Sequence, residues 1–463
     1  MNEPIDDCRR SNEGEKRRRE LFVSGAETPV AIDSAEEIFD LMPPPVVAAA
    51  HVYPKPIAVM KLHLMLCSIS VGLFTSVRPV AKGAEADFSG AVAQVVSPLM
   101  KQWDIPGMAV GVTLDGHTHI FTFGVSSLTT HQPVSPDTLF EIGSVTKTFT
   151  ATLAAYAVEK GAVSLSDPVE RFLPEMTGTP FGAIKVLNLG THTPGGLPLQ
   201  VPDSVGTLEQ MFGYFKAWKP AGAPGTIRTY GNPGVGALGL IVARSLGRDF
   251  GPLFEEELLP GLGLRHTYLH VPTSEQALYA QGYTNKGTPV RLTPGVFWEE
   301  TYGIRTTIGD LLTFLEENMG THPVDNSQLA RALQATHSGY FRSGPLIQDL
   351  VWEQYQTPVA LGTLLQGNSA EMLFHTVPAT ALNPAMAPRP DVWINKTGST
   401  SGFSTYVAFV PQERVGVVLL ANKSYPILDR VRAAYAILDS IRQPLIGGVR
   451  RTGLCAPCAR EFK

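Results

Sequence analysis

The chain has 463 residues, 44% hydrophobic and 17% charged, a composition that excludes a disordered or fibrous chain and describes a globular protein with a sizeable core. The formal net charge is −5 and no basic stripe runs through the sequence, so nothing in it points to nucleic acid as a partner. The four cysteines, Cys8, Cys67, Cys455 and Cys458, leave the whole middle of the chain without one, so no disulfide framework holds the fold.

Residues 1–59 hold 7 Lys/Arg against 11 Asp/Glu, a net of −4. Met42-Pro43-Pro44-Pro45 and Pro54-Lys55-Pro56 break any regular element there, and the stretch reads as a non-native or disordered extension. Met60-Lys61-Leu62-His63-Leu64 opens a second start, with a basic residue followed by an apolar run to Phe74. Ala84-Glu85-Ala86 then offers a small-x-small cleavage site. Residues 60–86 are therefore expected to be a signal peptide that exports the protein to the periplasm, with no stable membrane anchor after cleavage. The run is too short for a spanning helix.

From Asp87 the sequence is globular. Phe88 to Trp103 has helical periodicity. Gly107 to Leu114 reads as a strand, and Asp115-Gly116 as a hairpin turn into His119 to Gly124. An Ala-rich apolar run from Thr148 to Val158, closed by Lys160-Gly161, reads as a buried helix. Residues 161–344 are expected to be a helical domain. The strands return with Val392 to Asn395, Tyr406 to Val410 and Val415 to Leu420, and Arg430 to Ile441 closes the chain as a helix. The architecture predicted is α+β: an antiparallel sheet flanked by helices, built from both ends of the mature chain (residues 87–160 and 345–443), with a large inserted helical domain. Residues 444–463 read as an unstructured tail.

Three short motifs carry chemistry. Ser144-Val145-Thr146-Lys147 places a hydroxyl and an amine one helical turn apart at the head of the buried helix. A serine hydroxyl is almost never ionised at neutral pH, so a nucleophilic serine needs a base within reach. Tyr230-Gly231-Asn232 lies in a tight Gly/Pro loop, where a phenol can relay a proton and an amide can hold an acyl-amide group. A second match, Tyr283-Thr284-Asn285, is better explained as a turn between strands. Lys396-Thr397-Gly398 ends a strand and supplies a positive charge, a hydroxyl and room for a ligand.

Taken in this order, the motifs resemble those of class C serine β-lactamases, within the penicillin-recognising serine enzymes. The resemblance runs through Phe140 to Thr150, Gly195 to Asp203, Tyr302-Gly303-Ile304 and Asn395 to Thr400, and covers about Phe88 to Arg442. It implies a β-lactamase/transpeptidase-like fold and a hydrolase that opens β-lactam rings, conferring antibiotic resistance. It further implies Ser144 as nucleophile, with Lys147 and Tyr230 handling its proton. Gln200 and Asn232 would hold the substrate amide side chain, Lys396 and Thr397 its carboxylate, and Gly398 would give room against the strand. The Ser144 and Ser399 amides would form the oxyanion hole, and Tyr302 an aromatic wall. Ser424 and Ile427 stand where many family members carry Asn, which leaves Arg430 as a further carboxylate contact. Trp298 replaces a smaller residue and is expected to narrow the side-chain pocket.

The resemblance implies a monomer with no cofactor and no metal, acting on a β-lactam small molecule. An esterase or D-Ala peptidase on the same scaffold shares Ser-Lys-Tyr, and a penicillin-binding sensor would acylate without turnover. Other motifs carry little. Gly234 to Gly239 matches G-x-G-x-x-G but follows a loop, so helix packing explains it better than a dinucleotide. His117-Thr118-His119 has no downstream ligand cluster. Cys455-Ala456-Pro457-Cys458 stands outside any βαβ context. Protein from a periplasmic extract is expected to begin near Asp87 by N-terminal sequencing or mass analysis; residues 1–59 found on secreted protein would overturn the Met60 start.

Overall fold

Side-chain alternation builds the centre of the fold. In β1 (Gly107–Leu114) Met108, Val110 and Val112 enter one hydrophobic core while Ala109 enters another on the opposite face. Asp115 and Gly116 both take positive φ and turn the chain into the antiparallel β2 (His117–Gly124). The computed structural model describes residues 82–449, and side chains for 89–442. Residues 1–59, the Met60 start and h-region, all four cysteines and the chain beyond Val449 lie outside the described residues.

The principal helices are α1 (Lys82–Gln102), α2 (Thr146–Glu159), α3 (Asn232–Ser245), α4 (Ile308–Met319), α5 (Ser327–Ala335) and α6 (Ile427–Val449). Seven later strands complete the main sheet: β3 (Gly339–Ser343), β4 (Leu346–Gln348), β5 (Glu353–Gln356), β6 (Thr380–Met386), β7 (Val392–Ser399), β8 (Ser404–Val410) and β9 (Val415–Ala421). The nine strands run in the order β6-β3-β4-β5-β7-β8-β9-β1-β2, and every pairing is antiparallel. β1 from the early chain pairs with β9 from the late chain, Met108 opposite Ala421 through Leu114 opposite Val415. The sheet is thus assembled from both ends of the chain, as expected from sequence.

Two cores lie on its two faces. Val92 and Val96 of α1, with Val431 and Leu438 of α6, pack on Met108, Val110 and Tyr406. On the other face α2, α3 and α4 bring Phe149, Leu153, Leu238 and Leu312 together. α2 is buried on nearly every side, from Thr146 to Ala157, which is why its sequence shows composition rather than amphipathic periodicity.

Several boundaries differ from expectation. The chain re-enters the sheet at Gly339, before residue 345, because Gly339 to Ser343 alternates between buried and more exposed positions as a strand. The middle segment also holds short strands, among them Ile227–Thr229, Thr267–Tyr268 and Arg305–Thr306. α6 continues to Val449, past residue 444. The second Tyr-x-Asn is a turn between the paired strands Gly282–Tyr283 and Pro289–Val290. The G-x-G-x-x-G glycines serve close packing of α3: a Cβ on Gly236 would lie 2.3 Å from the Phe297 ring, and one on Gly239 2.5 Å from Glu300.

One tertiary seam positions everything that follows. Gly398 at the end of β7 lies against the turn ahead of α2, where a Cβ would stand 1.9 Å from the Ile142 carbonyl oxygen. From the other side Gly143 has φ +50, and a Cβ there would stand 2.5 Å from the Ser399 nitrogen. Backbone meets backbone because neither residue has a side chain. Gly398→Ala is expected to force the two apart and lower stability by about 1–3 kcal/mol, the usual cost of overpacking. Urea denaturation would measure it, and an unchanged midpoint would mean that the seam has slack.

Candidate active site

The left-handed Gly143 bends the chain into a 3₁₀ turn, Gly143–Val145, and α2 starts only at Thr146. Ser144 therefore precedes the helix instead of occupying its first turn, and it is half-buried while its neighbours are buried. Lys147, one residue into α2, is fully buried. Its Nζ donates to Ser144 Oγ at 2.8 Å and to the Thr301 carbonyl at 2.9 Å.

Tyr230 arrives from the loop before α3. Its ring is 5% exposed and lies 4.5 Å from the ring of His192. Lys396, fully buried on β7, donates to Tyr230 Oη at 3.2 Å and to the Thr397 carbonyl at 3.0 Å. Ser144 and Lys147 of one motif, with Tyr230 and Lys396 from two distant ones, thus form one cluster. Asn232, at the start of α3, is anchored by its own N–H to the Leu199 carbonyl at 2.9 Å. Its side-chain Oδ1 is buried with no hydrogen-bond donor from the described residues, an acceptor left for a ligand. The Leu199 bond also holds the loop that ends in Gln200, whose own side chain is exposed.

The electrostatics follow from burying two ammonium groups without a carboxylate. Burial pulls Lys147 down from 10.5 to about 8; Tyr230 opposes that fall and Lys396 adds to it. For Tyr230, burial alone would raise the phenol, but Lys147 and Lys396 outweigh it and bring it from 10.0 to about 8. His192 is held well below its ordinary range by burial, then by Arg228, Lys396 and Lys147, so it stays neutral. A neutral Lys147 amine or a Tyr230 phenolate can each take the Ser144 proton, and the two titrate as a coupled pair.

The remaining expected residues are placed around this cluster. Thr397 is buried, Gly398 forms the seam, and Ser399 is half-buried at the end of β7. Tyr302 follows Thr301 and is half-buried; burial pushes its phenol up to about 12. Arg430 departs from expectation. Its side chain is fully buried, and its guanidinium donates to the Gly398 carbonyl at 2.7 Å, Ser399 Oγ at 2.8 Å and the Tyr425 carbonyl at 2.5 Å. Enclosed in this way, it holds the end of β7. The Trp298 ring packs edge-on to His270 at 5.2 Å and lies 5.4 Å from the Arg305 guanidinium.

Other contributors were not singled out from the sequence. The Thr301 carbonyl is a backbone group, with no side-chain signal. Arg228, two residues before Tyr230, pairs with Glu353 at 2.8 Å and donates to Gln348 at 2.8 Å and the Met372 carbonyl at 2.7 Å. Both ions are buried. Glu353 also accepts from Asn395 at 3.3 Å, the residue before Lys396. Arg228 lies close to the Tyr230 motif in sequence, but Glu353 is far from every motif.

The chain is similar to known proteins over most of its described length. The β-lactamase family model matches residues 92–441. A β-lactamase of Pseudomonas fluorescens is 47% identical over 358 residues, covering 77% of this chain and 99% of the relative. One from Lysobacter lactamgenus is 48% identical over 362 residues, covering 78% and 93%. Among solved structures, a class C β-lactamase in complex with cefoxitin aligns with a TM-score of 0.75 at 46% identity, covering 77% of this chain and 99% of that one. A D-alanine carboxypeptidase from Burkholderia cenocepacia aligns with a TM-score of 0.73 at 53% identity, covering 77% and 99%.

The coupled pair sets a pH dependence. Acylation of Ser144 is expected to rise with pH through about 8 and level off above it, as the pair loses its proton. In Tyr230→Phe the rate is expected to drop by about 10²–10⁴, and the residual limb to move to lower pH, because Tyr230 is what holds Lys147 up. Stopped-flow acylation across pH measures both; a limb that stays put would separate Lys147 from Tyr230.

Proposed function

The chain belongs to the β-lactamase family, and on that premise we propose that it hydrolyses penicillins and cephalosporins through an acyl-enzyme on Ser144. The observation that carries the reading is the half-buried Ser144 hydroxyl, 2.8 Å from the Nζ of a fully buried lysine. Beside it stands a phenol brought down to about 8. In acylation the Lys147–Tyr230 pair takes the Ser144 proton as Oγ attacks the β-lactam carbonyl. The proton then passes to the departing ring nitrogen. In deacylation the same pair takes a proton from water as the water oxygen adds to the acyl carbonyl; the ester bond to Ser144 Oγ then breaks, and that proton passes to Oγ.

Binding roles follow from the placement of polar groups. The amides of Ser144 and Ser399, brought to one seam by Gly143 and Gly398, receive the oxyanion. Lys396 and Thr397 face the substrate carboxylate. Asn232 offers its unpartnered Oδ1 to the side-chain amide N–H, with Gln200 on the exposed rim and Tyr302 as the wall. Arg430 acts indirectly, fixing Gly398 and Ser399. The sheet layer and the helical segment function as two domains with the site between them.

Residues 60–74 support export, and the protein works in the periplasm as a monomer without cofactor, conferring resistance. Among the described residues no helix is long and apolar enough to cross a membrane.

A second reading has its own support. Two of the similar solved structures carry D-alanine carboxypeptidase in their names, and the same acyl-enzyme chemistry would serve a linear peptide amide. Parallel rates on a chromogenic cephalosporin and a D-alanyl-D-alanine peptide decide between the two. For either substrate, Ser144→Ala is expected to keep the fold and lose acylation: a single β-lactam adduct should appear by mass spectrometry on the wild type alone. An adduct of the same stoichiometry on Ser144→Ala would remove Ser144 from its role.

A further inference from the structure

Glu141 lies three residues before Ser144 and has no part in the scheme above. It is 1% exposed and has no ion-pair partner among the described residues. Its carboxylate is nonetheless fully engaged. Oε1 accepts from the Tyr279 hydroxyl and, at 2.7 Å, from the Leu292 N–H. Oε2 accepts from Thr400 Oγ at 2.6 Å. Arg305 Nε donates to the Tyr279 oxygen at 3.3 Å, one step removed from the carboxylate.

Thr400 directly follows Ser399, and its N–H bonds the Phe403 carbonyl at 3.1 Å to close the turn between β7 and β8. Phe403 in turn packs edge-on to Phe140, with ring centroids 6.3 Å apart. The dipeptide Phe140-Glu141 therefore grips this turn twice, once by an aromatic contact and once by a charged acceptor. Its backbone joins in, since the Glu141 carbonyl accepts from Thr405 Oγ at 3.4 Å. A carboxylate suits this junction because it is acceptor-only and all three partners present donors. Bonds to a charged acceptor are also stronger than neutral ones.

We propose that Glu141 is a positioning residue for the oxyanion hole, holding the Ser399 amide in register with the Ser144 amide through the Thr400 hydroxyl. The inference rests on the reading that those two amides form the hole. The seam at Gly143 and Gly398 limits how close the two segments come; the Glu141–Thr400 tie limits how far they part. A donor aimed at developing charge acts mainly on the transition state, so loosening the tie lowers kcat and leaves substrate capture largely alone.

The test uses Thr400→Val, which keeps shape and removes the hydroxyl, with Thr400→Ser as the restoring variant and Glu141→Gln as the partner change. kcat and KM are measured with a chromogenic cephalosporin. Inhibition is measured with phenylboronic acid, which forms a tetrahedral adduct on a serine. Thr400→Val is expected to lose about 10- to 100-fold in kcat and in phenylboronic acid affinity together, with KM little changed. Thr400→Ser should regain most of both. Glu141→Gln combined with Thr400→Val should be no worse than the worse single variant.

Wild-type kcat and boronate affinity in Thr400→Val would overturn the role of Glu141 while leaving the serine mechanism intact. A fall in kcat without a fall in boronate affinity would overturn it too, since the loss would then lie outside the hole. A boronate that binds Ser144→Ala as tightly as wild type would overturn the Ser144 reading and this inference with it. A drop in melting temperature with unchanged kcat per acylable site would reduce the tie to a merely structural one and overturn the proposal.

Discussion

Two ammonium groups taken out of water without a carboxylate are the condition around which the rest of the structure is arranged. Lys147 and Lys396 are both fully buried, and they donate to a hydroxyl, a phenol and two carbonyls. Keeping Lys147 there costs roughly 3 kcal/mol, by its fall from 10.5 to about 8. That cost is fully present below about pH 8 and is relieved as pH rises towards 10.5, where the unfolded chain also loses the proton. A phenol between the two charges is the nearest group that can supply a negative one, which ties its acidity to theirs. The fold must therefore hold three side chains from three separate elements at fixed distances, or the compensation fails.

The surrounding protein meets that demand with rigid parts. Lys147 sits on the most buried helix, Lys396 on an inner strand of a nine-stranded sheet, and Tyr230 at the entry to α3. Arg228 and Glu353 neutralise each other close behind Tyr230, and Asn395 links Glu353 to the strand that carries Lys396. Breaking one member of such a pair would leave a buried charge uncompensated, which typically costs about 3–5 kcal/mol. Gln200, on a loop, stands on the exposed rim.

How much of this was legible in the sequence varies with the kind of signal. Strands with alternating or wholly apolar runs, such as β1, β8 and β9, declared themselves, and the Asp115-Gly116 turn fixed one hairpin. Ser144, Lys147, Tyr230 and Lys396 stood out because reactive residues lay in apolar or glycine-rich surroundings. What stayed hidden depends on tertiary contact. Nothing in Arg430 itself tells whether it faces a ligand or the underside of β7. Glu141 lies within the Phe140 to Thr150 run, yet its partners Tyr279, Leu292 and Thr400 are far away in sequence. The 3₁₀ turn at Ser144 depends on a positive φ at Gly143, which a helix reading of the same residues passes over. The re-entry at Gly339 is hard to read because a five-residue strand with one arginine gives a weak pattern.

The glycine seam has a consequence for how the sheet finds its pairing. Strands slip by single residues, and each slip exchanges their faces. Against the Ile142 carbonyl, however, only a residue without a Cβ fits, with 1.9 Å available at Gly398. A slip of β7 by one position would bring Thr397 or Ser399 there and collide. The pairing of Gly398 with Thr405 on β8 is thereby checked by a contact outside the sheet altogether. The turn that presents Ser144 thus acts as a gauge: it accepts β7 in one register only, and a misaligned sheet cannot close around an assembled site.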